Sequence, residues 1–133
     1  MKLTDESRAF HFGVYTIVFQ IPYGKVTTYG HIAYLLDKPA NSRQVGSSLK
    51  HCAMIFQDLN QGYEPDDENF LQLDELPWWR VVSSSGKISP RENSHGQYIQ
   101  AELLRQEGIS VSETHLVNLD AEEVGWFPEE VNL

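Results

Sequence analysis

Between Phe10 and Ile21 the apolar residues Phe10, Val14, Ile17, Val18 and Ile21 recur at three- and four-residue spacing, which describes one face of a helix. The spacing predicts a helix over Glu6 to Ile21, stopped by Pro22 and Gly24. A helix with one apolar face must be covered, and the next segments supply the cover. A second short helix is expected after Thr28, with Tyr29, Ile32, Ala33 and Leu36 inward, ending near Lys38 before Pro39. A third follows from Ser42 to His51, with Asn41 or Ser42 as its side-chain cap and Cys52 at its end. Two short helices joined by a tight turn resemble a helix-turn-helix.

Further along, Gln57 to Glu75 holds Gly62, Pro65 and little periodicity, and reads as a long, exposed, mobile loop. Trp79 to Val82 reads as a short strand, and Ser83 to Arg91 as a turn-rich stretch. The last clear helix starts with Ser94 and Gln97 as a capping box, buries Ile99, Leu103 and Leu104, and ends at Gly108. The acidic chain beyond Glu113 fits no element.

Charge bears on what such a chain can bind. With 10 Lys and Arg against 19 Asp and Glu, the formal charge of -9 argues against contact with phosphates. The total hides an uneven distribution. Lys25, Lys38, Arg43 and Lys50 face only Asp37 between Ile21 and Cys52, and Arg80, Lys87 and Arg91 meet no acid between Trp78 and Arg91. Those two stretches are basic; the deficit lies in Ala53 to Leu76 and in the C-terminal part.

Other chemistries find little support. The lone Cys52 excludes an internal disulfide and lacks a zinc-finger partner, so it reads as a small packing residue. His11, His31, His51, His95 and His115 show no ligand spacing, so no metal and no cofactor are expected. Ser83, Ser84 and Ser85 lack a nucleophile-elbow setting. No apolar run is long enough for a signal peptide or a spanning helix, which predicts a soluble protein, nuclear in a eukaryote and otherwise cytoplasmic.

A set of pieces in order is more specific. Ile21-Pro22-Tyr23-Gly24-Lys25-Val26-Thr27-Thr28-Tyr29-Gly30 leads into a helix, and Ser42-Arg43-Gln44-Val45-Gly46-Ser47-Ser48-Leu49 forms another. Pro77-Trp78-Trp79-Arg80-Val81-Val82 and a helix ending Arg105-Gln106-Glu107-Gly108 follow. From about Phe10 to Gly108 this order resembles the DNA-binding domain of the O6-alkylguanine-DNA alkyltransferases. The resemblance implies a mainly α fold, a helix-turn-helix (winged-helix-like) DNA-binding domain with a short β element. The 133 residues then form a single domain with an acidic loop insertion at about 57-75.

In that family a Pro-Cys-His-Arg-Val motif supplies the cysteine that accepts the alkyl group, and the matching residue here is Trp78. An indole offers no thiolate, so suicide repair is not expected at this site and the chain reads as no enzyme. The pattern is similar to the alkyltransferase-like proteins, which carry Trp at that position. By resemblance they bind O6-alkylguanine in duplex DNA without repairing it and direct it to nucleotide excision repair.

The same resemblance implies residue roles. Arg43 matches the arginine that fills the gap left by an extruded base, and Tyr29 the tyrosine that helps rotate the nucleotide out. Gly46, Ser47 and Ser48 would keep one helix face small for the minor groove, where base identity is poorly read. Trp78, Leu49, Val81, Ser84 and Arg91 would line the lesion pocket, with Trp78 as a wall and Arg91 stacked over the modified base. Four of these have plainer alternatives: a core aromatic for Tyr29 and Trp78, a phosphate-contacting or solvated arginine for Arg43, and a surface loop charge for Arg91.

Three features depart from the family pattern, two residues and an insertion. Trp79 stands where the family has a His that bonds to a Glu, so Glu107, at the Glu position, is expected to be structural. Cys52 replaces a polar residue, and the acidic loop is added. The implied partners are damaged double-stranded DNA and nucleotide excision repair factors, engaged by a monomer. Two alternatives stay open: a general helix-turn-helix DNA-binding or regulatory protein without a lesion pocket, and a residual enzyme using Cys52.

Overall fold

The structure, a computed structural model, describes residues 3–89 and 95–133. Helix α1 spans Asp5–Gln20 and starts where Thr4 accepts a hydrogen bond from the Ser7 N–H at 3.1 Å, with Asp5 and Glu6 at the positive end of the helix dipole. Its apolar stripe buries Val14, Tyr15, Ile17 and Val18. After the turn at Pro22, strand β1 (Thr27–Thr28) runs into α2 (Tyr29–Leu35), and Thr28 caps that helix by accepting the His31 N–H at 3.0 Å.

Helix α3 covers Ser42–Lys50, and the chain breaks at His51 before α4 (Cys52–Leu59). Two expectations change here. The residue flanking α3 is Asn41, whose side chain makes no capping hydrogen bond, and Cys52 opens a fourth helix instead of closing the third. The fourth helix has a physical reason: packed on α1, it buries Ile55 and Phe56 in the first core.

The segment from 60 onward is exposed at 61–69 but carries turns of its own. Asn60 clamps its base, donating Nδ2–H to the Leu71 carbonyl at 3.0 Å and accepting the Leu71 N–H at 2.8 Å. Short 3-10 turns follow at Leu73–Glu75 and Trp78–Arg80, so the strand β2 is only Val81–Val82. It pairs in parallel with β1, Thr27 opposite Val81 and Thr28 opposite Val82.

This strand pair divides the interior. Val81 packs into a cluster with α1, α2, α3 and α4, while Val82 packs into a second one with Val26, Ile88, Ala101, Leu104 and Val117. Successive residues of a strand point to opposite faces, and here each face has its own core.

Helix α5 (His95–Gln106) closes the second core. It buries Gln100, Ala101 and Leu104, whereas Ile99, expected inward, is 52% exposed. Gln100 takes the inward place because its amide donates to the Trp79 and Val81 carbonyls, at 3.1 and 3.0 Å. The proposed cap Ser94 lies outside the described residues. Gly108 ends the helix at φ 83°, with Gly108 N–H to Arg105 and Ile109 N–H to Leu104 forming the paired closure that favours glycine.

The C-terminal chain, which had no assignable element, is held as an outer strap. Val26 donates to the Val124 carbonyl at 2.8 Å and accepts from Trp126 at 2.7 Å, and His31 Nε2 meets the Pro128 carbonyl at 2.7 Å. Among the described residues no helix is long and apolar enough to cross a membrane.

Candidate nucleic-acid interface

Helices α2 and α3 pack on each other, joined by a turn in which Asp37 takes φ 59° and Asn41 N–H donates to the Lys38 carbonyl. That is a helix-turn-helix. Arg43, Gln44 and Ser47 are exposed on α3, and Gly46 is half-buried with no neighbouring atom within 4 Å of where a Cβ would stand. No carboxylate among the described residues lies within ion-pair distance of Arg43.

Ser48 is placed differently from the expected small outward face. It is fully buried, and its hydroxyl donates to the Gln44 carbonyl at 3.0 Å. With that proton committed, the 2.6 Å contact to His11 Nδ1 requires the imidazole to donate. Tyr15 O–H donates to the Ser48 carbonyl at 2.6 Å. His11 and Tyr15, one turn apart on α1, thus fix the rotation of α3, and the outward small residues are Gly46 and Ser47. Burial lowers the His11 pKa, and it raises that of Tyr15 far above the usual phenol range, with the electrostatic influence of nearby Cys52 adding to the rise.

Tyr29, the first residue of α2, is half-buried against the first core. Leu49 and Val81 belong to that core, 6% and 0% exposed. Trp78 packs against it from the 3-10 turn, and Cys52 packs against the same core. Ser84 is exposed in the tight turn after β2, apart from the buried cluster. Arg91 lies outside the described residues.

The two adjacent tryptophans part company. Trp79 turns to the second core, its ring edge-on to that of Trp78 with centroids 6.0 Å apart. Its indole N–H donates to Glu107 Oε2 at 2.6 Å. The same carboxylate accepts Arg80 Nε at 2.9 Å, Arg80 Nη2 at 2.9 Å and the Gly24 N–H at 2.8 Å, and Arg80 Nη1 reaches the Ile21 carbonyl. The guanidinium also sits 5.5 Å from the Trp79 ring centroid and 5.6 Å from that of Tyr23. Burial alone would raise the Glu107 pKa. The hydrogen bonds from Arg80, Gly24 and Trp79, with the Arg80 charge, outweigh it and hold the carboxyl below its ordinary value.

An indole N–H can only donate, so the Trp79–Glu107 contact cannot pass a proton onward as an imidazole can. Glu107 is structural: it ties α5, the Trp78–Arg80 turn and the Gly24 turn together. The sequence linked Glu107 with Trp79 through the family's His–Glu contact; Arg80, His11 and Tyr15 were missed, although the i, i+4 spacing of His11 and Tyr15 put both on one helical face. Among the described residues no three His, Cys, Asp or Glu side chains converge as metal ligands would.

Known proteins resemble this chain in sequence and fold. The family described as 6-O-methylguanine DNA methyltransferase, DNA binding domain, matches residues 9–109. Alkyltransferase-like protein 1 of Schizosaccharomyces pombe is 36% identical over 121 residues, covering 90% of this chain and 95% of its own. A DNA base-flipping protein of Vibrio parahaemolyticus is 35% identical over 100 residues, covering 75% and 80%. The crystal structure of the Schizosaccharomyces pombe protein in complex with damaged DNA containing O6-carboxymethylguanine superposes with a TM-score of 0.67 at 35% identity, over 96% of this chain and 100% of that one. With a helix-turn-helix backed by two cores and matched over most of its length, the chain belongs to the family of the 6-O-methylguanine DNA methyltransferase DNA-binding domain, among the alkyltransferase-like and base-flipping proteins.

Proposed function

We propose that the chain binds duplex DNA carrying O6-alkylguanine, turns the damaged nucleotide out of the helix and marks it for nucleotide excision repair without repairing it. The observation that supports this reading is the half-buried indole of Trp78, packed against the core that carries the helix-turn-helix; by its motif, Trp78 corresponds to the family's acceptor cysteine. An indole offers an extruded base an apolar wall and no thiolate to receive its alkyl group. Arg43, exposed on α3, fills the vacated stack, and Tyr29 at the start of α2 presses the neighbouring phosphate. Leu49 and Val81 back Trp78 from the core, Ser84 edges the base, and Arg91 stacks over it.

Gly46 and Ser47 let α3 approach a narrow groove, so selectivity rests on the flipped base and not on the flanking sequence. Binding to an O6-methylguanine duplex should exceed binding to the unmodified duplex. Arg43→Ala and Trp78→Ala should each erase most of that preference. Equal affinity of the unaltered protein for both duplexes sinks the reading. It would favour instead a general helix-turn-helix DNA-binding or regulatory protein, which the packing of Trp78 against the core would also suit. A stable label on Cys52 after incubation with O6-benzylguanine would return the chain to the enzymes.

A further inference from the structure

On the side of the molecule formed by α1 and the chain after α4, two aromatic rings stand in solvent: Phe12 is 49% exposed and Tyr63 43%. With Ala9, Leu59 and Leu71 they line an open groove of about 420 Å³. The groove is built, not incidental. Asn60 clamps Leu71 with two hydrogen bonds, Gln72 Nε2 donates to the Pro65 carbonyl at 3.0 Å, and Asp67 accepts the Asn69 N–H at 2.8 Å.

Its charge is mainly negative. Glu68 stands in the wall, Glu64, Asp66 and Asp67 are exposed beside it, and the chain from Leu59 to Leu76 contains no Lys, Arg or His. The cation of the groove, Arg8, is tied to Asp58 at 2.8 Å and offsets little of that charge. Nucleic acid is repelled from such a surface. A wholly apolar partner would strip water from carboxylates without pairing them. A cationic chain with apolar side chains meets both demands at once.

We propose that this groove docks a short basic segment of another protein, an apolar side chain seated against Phe12 and Tyr63 and Lys or Arg side chains over Glu64, Asp66, Asp67 and Glu68. The site stands apart from α3, so a partner can be held while DNA is bound, and the proposal does not depend on which DNA that is.

The probe is a fluorescein-labelled synthetic peptide in which pairs of Lys alternate with Leu and Phe, titrated with the intact chain at physiological ionic strength. A second peptide replaces Leu and Phe by Ser at the same charge. The first peptide should bind at least about tenfold more tightly than the second, and Phe12→Ser, Tyr63→Ser and Glu68→Lys should each weaken it by about tenfold. All three positions are exposed, so the variants keep the fold, checked by circular dichroism. Equal binding of the two peptides, or indifference to Phe12→Ser, overturns the proposal, because charge alone would then explain the affinity. Self-association that depends on Phe12, seen by sedimentation, also overturns it by placing a second copy of the chain in the groove. Failure of the lesion-binding test leaves this proposal standing, since none of these variants touches Arg43 or Trp78.

Discussion

Two hydrogen-bonded clusters stand behind the outward-facing elements, and they are made from opposite chemistry. Behind α3, Ser48 is held by His11, Tyr15 and its own helix through uncharged contacts. Behind Trp78, Glu107 is held by a guanidinium, an indole and a backbone N–H around one buried negative charge. In the first cluster each bond can be lost singly at modest cost. In the second, the charges answer each other, with Arg80 and Glu107 side chains only 13% and 5% exposed, so losing one strands the other. The helix is positioned by several small terms and the tryptophan turn by one large one.

The sharpest way to break that contrast is Arg80→Met, which leaves the Glu107 carboxylate buried without its cation. Urea unfolding should show a loss of about 3–5 kcal/mol. Arg80→Met combined with Glu107→Leu should recover much of it, and no recovery would mean that the contacts of Arg80 to Ile21 and Tyr23 matter more than the ion pair. Ser48→Ala, which deprives His11 Nδ1 of its acceptor, should cost about 1–3 kcal/mol, and Tyr15→Phe about 1 kcal/mol. A Ser48→Ala loss as large as that of Arg80→Met would erase the distinction.

Acid separates the clusters again. The pKa of His11 is lowered in the fold, so its contribution is complete above the ordinary value of 6.5 and falls away as pH drops through the lowered one. Glu107 is likewise lowered, but from 4.5, so its contribution persists through mild acid and is lost only as pH falls below that value. Urea midpoints followed from neutral pH downward should therefore decline in two stages, and His11→Asn should remove the first alone. The smallest effect concerns the outer face of α3: Arg43→Ala should reduce the salt dependence of binding to undamaged DNA by about one unit of log-log slope.

Much of the architecture was legible from local rules. Pro22, Thr28, Pro39 and Gly108 bound helices because they fix φ, cap free N–H groups or tolerate positive φ, and none of these effects needs a distant partner. What failed depended on distant residues. Ile99 and Gln100 exchange places because backbone carbonyls of the Trp79–Val81 stretch need donors. Ser48 turned inward because α1 offers it His11 and Tyr15. The break at His51 followed from burial of Ile55 and Phe56 on α1, and the acidic C-terminal strap from hydrogen bonds to Val26 and His31. Apart from the i, i+4 spacing of His11 and Tyr15, none of these signals is periodic in the chain itself.

Sequence alone determined the order of α1, α2, α3 and α5, the basic character of the helix-turn-helix stretch and the absence of a thiol at position 78, because each is a matter of residue type and spacing. Only the tertiary structure decided which core each of the two neighbouring tryptophans joins. The 3-10 turn and the strand after it send Trp78 to one core and Trp79 to the other, where Glu107 waits with Arg80 and Gly24. Adjacent identical side chains carry no local difference; the partners on the two sides of the strand pair supply it.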